Sequence, residues 1–271
     1  MFFLWILKVS LSIISGMNDH KYKTANFHSE NFKIRSYEID SRGRTSIQSV
    51  CRYLGETAGS HANELGASVE VLRSKGLTWV LSRLHIQIKK YPNWGEILRI
   101  ETWPSGRETF FALRDFLIYK KEERIGTATT SWMVIDLVRK KPVSLPDFII
   151  NISIPERPRA IDDPFEKLPG LDEVTSSKAF NVRLSDLDTN QHVNFVNYIE
   201  WAVEAVPAET WKDFKLEGLE VSYRAESRYG DRIISAAQEI DQKNRRIYLH
   251  RLRREKDNTE AAVLKTEWVS R

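Results

Sequence analysis

The chain has 271 residues, 41% of them hydrophobic and 29% charged, which fits one large soluble domain or two small ones. Its net charge of +4 is spread over short runs (Lys89-Lys90, Lys120-Lys121, Arg139-Lys140-Lys141, Arg245-Arg246, Arg253-Arg254), too mild and too scattered for a nucleic-acid binder. The single cysteine, Cys51, excludes an internal disulfide and a cysteine-rich metal site, so a reducing, cytoplasmic location is expected.

Residues 1–30 form an N-terminal extension. Its first sixteen residues, MFFLWILKVSLSIISG, are apolar but broken by Lys8 and shorter than the roughly 20 residues of a membrane span, and no basic leader precedes them. Neither stable membrane insertion nor a secretory signal is expected, and an upstream mis-called start is the preferred reading. The first folded unit, residues 31–140, opens with FKIRSYEID, a predicted strand ending at Asp40. A helix follows, marked by Ile47, Val50, Leu54, Ala58 and Leu65 at helical spacing. Leu84, Ile86 and Ile88 then alternate with His85, Gln87 and Lys89, as in a sheet with one covered face. Residues 141–175 carry six of the nine prolines and read as a linker.

The second unit, residues 176–271, repeats the order of the first. FNVRLSD is its opening strand, Val193, Val196, Ile199, Val203 and Val206 stripe its helix, and Leu219, Val221 and Tyr223 alternate with polar residues. Gly95 and Gly230 correspond at an offset of 135, Trp132 and Trp268 at 136, and Asp40 and Asp186 at 146. A strongly striped helix needs a sheet to lie on. The predicted class is therefore α+β, a tandem hot-dog in which each half wraps a curved antiparallel sheet around one long helix.

The halves diverge at the helix start. The first reads IDSRGRTSIQSV, with nothing that titrates near neutrality, whereas the second reads SDLDTNQHVNFVNYIEW and packs Asp186, Asp188, Asn190, His192 and Asn194 into nine residues. Free N–H groups at a helix start favour a developing oxyanion, Asp188 offers a base or nucleophile, Asn190 an amide, and His192 a proton carrier near neutral pH. The same residue types also serve as ordinary caps and turns. Glu226, in YRAESRYGD, is a second candidate beside Arg224 and Arg228. His20, His28, His61, His85 and His250 are dispersed, so no metal is expected. Large apolar residues of the first half, Trp79, Leu81, Leu84, Trp103, Phe110, Phe111 and Phe116, are the candidates for shaping an apolar pocket, with Trp79 and Trp103 expected to touch substrate.

DLDTNQHVNFVNYIEW, TWVLSRLHIQIKKYPNWGEILRIETWP, FALRDFLIYKKEERIGTATTSWMVID and YRAESRYGD together resemble the acyl-acyl-carrier-protein thioesterases of the plant type and their bacterial relatives, over about residues 31–271. That resemblance implies a tandem hot-dog that hydrolyses the thioester of fatty acyl-acyl carrier protein in fatty acid biosynthesis, without metal or organic cofactor. It implies catalytic roles for Asp188, Asn190, His192 and Glu226, and places Asn194 and Ser227 at the substrate. Many plant members carry a cysteine where Ser227 stands, so a thiol nucleophile is not available in this chain, and Phe195 departs from a common asparagine. The acidic carrier protein is the implied partner, and a homodimer of tandem units is left open. Competing readings are an acyl-coenzyme A thioesterase of the hot-dog superfamily and a non-catalytic acyl-binding hot-dog. A hydratase is disfavoured because Asp188 and His192 are four apart with no intervening proline. Direct attack by Asp188 and activation of a water by Asp188 and Glu226, with His192 passing the proton, both remain open.

Overall fold

The computed structural model describes residues 27–242 and 245–271; the reading of residues 1–16 lies outside them. The first half runs β1 (His28–Lys33), α1 (Ile47–Glu64), α2 (Val69–Ser74), β2 (Leu77–Ile88), β3 (Ile97–Arg107), β4 (Phe111–Lys120), β5 (Glu123–Asp136), β6 (Lys141–Val143) and α3 (Asp147–Ile150). The second runs β7 (Ser176–Asn181), a 3-10 turn at Leu184–Asp186, α4 (Phe195–Glu204), α5 (Ala208–Asp213), β8 (Phe214–Tyr223), β9 (Arg232–Gln242), β10 (Arg245–Arg254) and β11 (Glu260–Ser270).

All described strands belong to one antiparallel sheet in the order β1-β3-β4-β5-β2-β8-β11-β10-β9-β7, with β6 added to β5. Each half uses its five main strands in the same order, and the halves join edge to edge where Arg83–Gln87 pair with Gly218–Ser222. α1 and α4 lie on the inner face. Their stripes, Val50, Leu54, Val196, Ile199 and Val203, are at most 3% exposed and share one core with Leu84, Ile86, Leu219 and Val221. Each such side chain removed from water contributes about 1.5–3 kcal/mol, which is why the two helices hold the sheet curved around them. This is the tandem hot-dog architecture.

The duplication is visible in hydrogen bonds. Gly95 and Gly230, at φ +79° and +83°, give their N–H to Ile34 and Val182. Trp132 and Trp268 each donate Nε1–H to the threonine two residues back, at 2.9 Å. The expected strands do not reach Asp40 and Asp186, and the pairing of those two aspartates is corrected. Ile34 corresponds to Val182, and Glu38, whose carboxylate accepts from Arg35 N at 2.7 Å, corresponds to Asp186, whose carboxylate accepts from Arg183 N at 2.7 Å. The true offset here is 148, so Asp40 is the counterpart of Asp188.

The proline-rich segment does more than connect. β6 pairs with β5, and the following coil lies across the outer face of the first-half sheet. Arg159 Nε and Ala160 N donate to the fully buried Asp115 carboxylate at 3.0 and 2.7 Å, which also accepts from Ser105 and Thr129. Proline's missing donors suit a segment held by side chains rather than by a ladder.

Candidate active site

Asp188, Asn190 and His192 lie on a tight loop that delivers the chain into α4. Asp188 Oδ1 accepts the N–H groups of Asn190 (2.7 Å) and His192 (3.2 Å), Asp188 N donates to His192 O, and Gln191 takes φ +62° at the tip. Asn194, expected at the substrate, is the N-cap of α4: its Oδ1 accepts from Val196 N at 3.1 Å. Asn197 Nδ2 and Asn194 N both donate to Asp186 O, which fixes the loop to the 3-10 turn.

Glu226, 34 residues further on, arrives at the end of β8. Its Oε2 lies 2.7 Å from His192 Nδ1, and its backbone carbonyl is held by Arg254 Nη1. On the other side of the ring, Arg228 Nη2 stands 3.4 Å from His192 Nε2 and 3.5 Å from Glu226 Oε1. Ser227 is fully buried, its carbonyl accepting from Val193 N, so its hydroxyl is enclosed by protein rather than facing an open pocket. The structure thus brings together Asp188, Asn190, His192 and Glu226.

The first half contributes to the same loop. Arg73 of α2 donates from Nη2 to Asn190 Oδ1 at 2.6 Å. A guanidinium only donates, so the Asn190 oxygen faces Arg73 and its NH2 group is turned the other way, toward Asp188 Oδ2 and open space.

One turn before Arg73, Glu70 lines a mostly apolar cavity of about 350 Å³ inside the first half. Trp79 forms part of its wall and is pinned by Nε1–H donation to Ala67 O at 2.9 Å. Gly55 also lines it, and a Cβ there would meet the Phe195 ring at 3.3 Å, so α1 packs directly against the start of α4 beside the cavity wall. Trp103 does not line it. It is 1% exposed on the outer face, under the Arg157 guanidinium at 4.3 Å, because Thr102 already faces inward and alternation sends the next residue out. Leu84 and Phe116 belong to the main core.

Residues 25–153 match the N-terminal domain and residues 171–270 the C-terminal domain of the acyl-ACP thioesterases. The chain belongs to the acyl-ACP thioesterase family. It is 33% identical to the chloroplastic palmitoyl-acyl carrier protein thioesterase of Cuphea hookeriana over 73% of this chain and 51% of that protein. It is 29% identical to the chloroplastic oleoyl-acyl carrier protein thioesterase of Coriandrum sativum over 79% of this chain and 63% of that one. The chain therefore spans between half and two thirds of the length of these relatives. Among solved structures, an acyl-ACP thioesterase from Bacteroides thetaiotaomicron superposes with a TM-score of 0.80 at 25% identity, covering 90% of this chain and 98% of that one. The 12:0-ACP thioesterase from Umbellularia californica shares the fold, with a TM-score of 0.83 at 24% identity, covering 93% of this chain and 97% of that one.

In this member of the acyl-ACP thioesterase family, three features escape a reading of the sequence. Arg73 joins the loop from 117 residues away. Arg114 places a guanidinium in the cavity wall, its Nη1 2.9 Å from His61 Nδ1, and burial lowers its pKa to about 10. His85, Asp163 and Glu220 meet with ligand atoms within 4.8 Å of one another. There His85 Nδ1 is 2.7 Å from Asp163 and Lys265 Nζ 3.2 Å from Glu220, so a lysine already supplies the positive charge and the cluster is an ion-pair network at the seam. No signal in the sequence marks these partners, since each is made by tertiary packing. Cys51 is fully buried in α1, its thiol pushed up to about 12 by burial. Among the described residues no helix is long and apolar enough to cross a membrane.

Proposed function

We propose that this chain hydrolyses the thioester of fatty acyl-acyl carrier protein, releasing free fatty acid, with the acyl chain in the first-half cavity and the chemistry on the second-half loop. The observation that carries this reading is the 2.7 Å contact between His192 Nδ1 and Glu226 Oε2, on a loop tied to the first-half cavity by α2, whose Glu70 lines the cavity and whose Arg73 holds Asn190. The carboxylate holds the ring with its proton on Nδ1 and leaves Nε2 as the base. A water placed where Arg228 now touches Nε2 attacks the thioester carbon, its proton passing to His192. The carbon–sulfur bond then breaks, and His192 returns the proton to the departing thiolate. The Asn190 NH2 group, aimed by Arg73, receives the oxyanion.

Asp188 enters as the group that shapes the loop. One of its oxygens is taken by two N–H groups, and Asp40 makes the same pair of bonds in the first half, to Arg42 N at 2.8 Å and Arg44 N at 3.1 Å, where no acid or base accompanies it. This favours water activation over direct attack by Asp188. The lone, buried Cys51 supports a reducing location such as the cytoplasm, although the relatives are named chloroplastic.

The test is hydrolysis of acyl carrier protein thioesters of graded length, with the matching coenzyme A thioesters alongside. Glu226→Gln and His192→Ala are expected to lose ~10²-fold or more in kcat. Single turnover in ¹⁸O water should leave the Asp188 carboxylate unlabelled. Absence of free fatty acid at every chain length, or a wild-type rate for Glu226→Gln, would overturn the reading; faster turnover of the coenzyme A thioesters would move the substrate to that carrier.

A further inference from the structure

The loop that carries Asp188, Asn190 and His192 has a complete structural twin in the first half. Asp40 N donates to Arg44 O at 2.7 Å, as Asp188 N donates to His192 O at 2.7 Å; Thr45 N donates to Pro92 O as Val193 N donates to Ser227 O; Ser46 N donates to Glu38 O as Asn194 N donates to Asp186 O. Gly43 takes the positive φ of Gln191, and Ser46 caps α1 as Asn194 caps α4. The backbone of the site is therefore present twice, with different side chains. Arg42 stands for Asn190, Arg44 for His192 and Tyr91 for Glu226. The side-chain charge at these three positions changes from −1, with histidine neutral, to +2.

The twin loop opens onto a polar cleft of about 610 Å³, within the range of ligand sites. Arg42, Arg44, Arg52, Lys178, Lys215 and Arg271 line it against Asp40, Glu200 and Glu204. The carboxylates are not paired one to one with the arginines. Asp40 is turned into its own loop, Glu204 faces Lys178 at 3.4 Å, and none of Arg42, Arg44, Arg52 and Arg271 has a carboxylate at ion-pair distance among the described residues. Arg42 and Arg271 instead converge on one acceptor, Trp211 O, at 2.5 and 3.4 Å. The crowding is felt at Arg271, whose pKa is lowered by burial and then by the neighbouring charges of Arg42 and Arg44. Six cationic side chains against three carboxylates, gathered in a concave site beside Tyr91 and Trp211, are complementary to a multiply charged anion.

We propose that this twin of the catalytic loop binds a phosphate-bearing anion, with Arg42 and Arg44 as its principal contacts. The site is separate from the His192–Glu226 pair, and binding is read directly, so the outcome does not depend on thioester hydrolysis.

The experiment is isothermal titration of the full chain at low salt with inorganic pyrophosphate, with adenosine 3′,5′-bisphosphate and with sulfate. Pyrophosphate is expected to bind more tightly than sulfate, and Arg42→Gln/Arg44→Gln to weaken it by about tenfold or more. Lys140→Gln/Lys141→Gln, which removes as much charge elsewhere, should change it less than about twofold. Arg44→Gln alone guards against a folding defect, because the Arg44 side chain makes no hydrogen bond or ion pair among the described residues; it should weaken binding several-fold with an unchanged circular dichroism spectrum. Tighter binding of the bisphosphate would assign the phosphate to a nucleotide-like carrier, and equal binding to free phosphate groups. No binding of pyrophosphate, equal binding of sulfate, or an equal loss in the Lys140/Lys141 variant would overturn the proposal.

Discussion

His250 sits in the middle of β10, fully buried on the inner face between Tyr248 and Leu252, with Nε2 2.8 Å from Thr266 Oγ1. Burial alone lowers its pKa from 6.5 to about 3. The folded protein therefore keeps His250 neutral where the unfolded chain already binds a proton. Its stability is fully present above pH 6.5 and is lost as pH falls toward 3, by up to about 1.4 kcal/mol per pH unit and on the order of 5 kcal/mol in all. His250→Gln keeps a polar partner for Thr266 and removes the titration. Urea denaturation of both proteins between about pH 8 and pH 4 should show the wild type losing about 3 kcal/mol more than the variant, the carboxylate contributions being common to both. Parallel stability curves, or a His250 resonance titrating near 6.5 in the folded protein, would refute the reasoning.

Ala112 lines the cavity, so Ala112→Phe should shift hydrolysis toward shorter acyl chains, read as the ratio of kcat/KM across a chain-length series; an unchanged ratio would place the acyl chain elsewhere. Cys51, with its thiol held near 12, should stay unlabelled by Ellman's reagent in the native state and react on unfolding, and Cys51→Ala should retain turnover. Asp115→Ala removes the carboxylate that holds Arg159 and Ala160 and should cost about 3 kcal/mol in denaturant melts, while the His192–Glu226 pair on the other half keeps its kcat.

Much of this was legible in the amino-acid order, because periodicity and duplication are local. The stripes of α1 and α4 and the glycines 95 and 230 announce two copies of one unit, and divergence between the copies points to Asn190 and His192. The pairing of Asp40 with Asp186 slipped by two residues, since both copies have acids there and only the backbone hydrogen bonds tell turn caps apart. That slip hid the fact that Asp188 has its own twin. The size of Trp103 suits a lipid-lining residue, yet in a strand one position decides the face. Arg73 and Arg114 were out of reach, since nothing near them in the chain records that α2 leans on the Asp188–His192 loop or that β4 turns a cation inward.

The seam between the halves consists of five residue pairs, Arg83–Gln87 against Gly218–Ser222, set within one uninterrupted sheet. Each half therefore protects the other's open strand edge, the role that a second subunit plays when a dimer forms by sheet extension. A single nick between residues 165 and 175, beyond the contacts of Arg159 and Asp163, would leave two fragments still bound through hydrogen bonds and a shared core. The covalent tie sets stoichiometry and order of assembly, and the sheet itself does the holding.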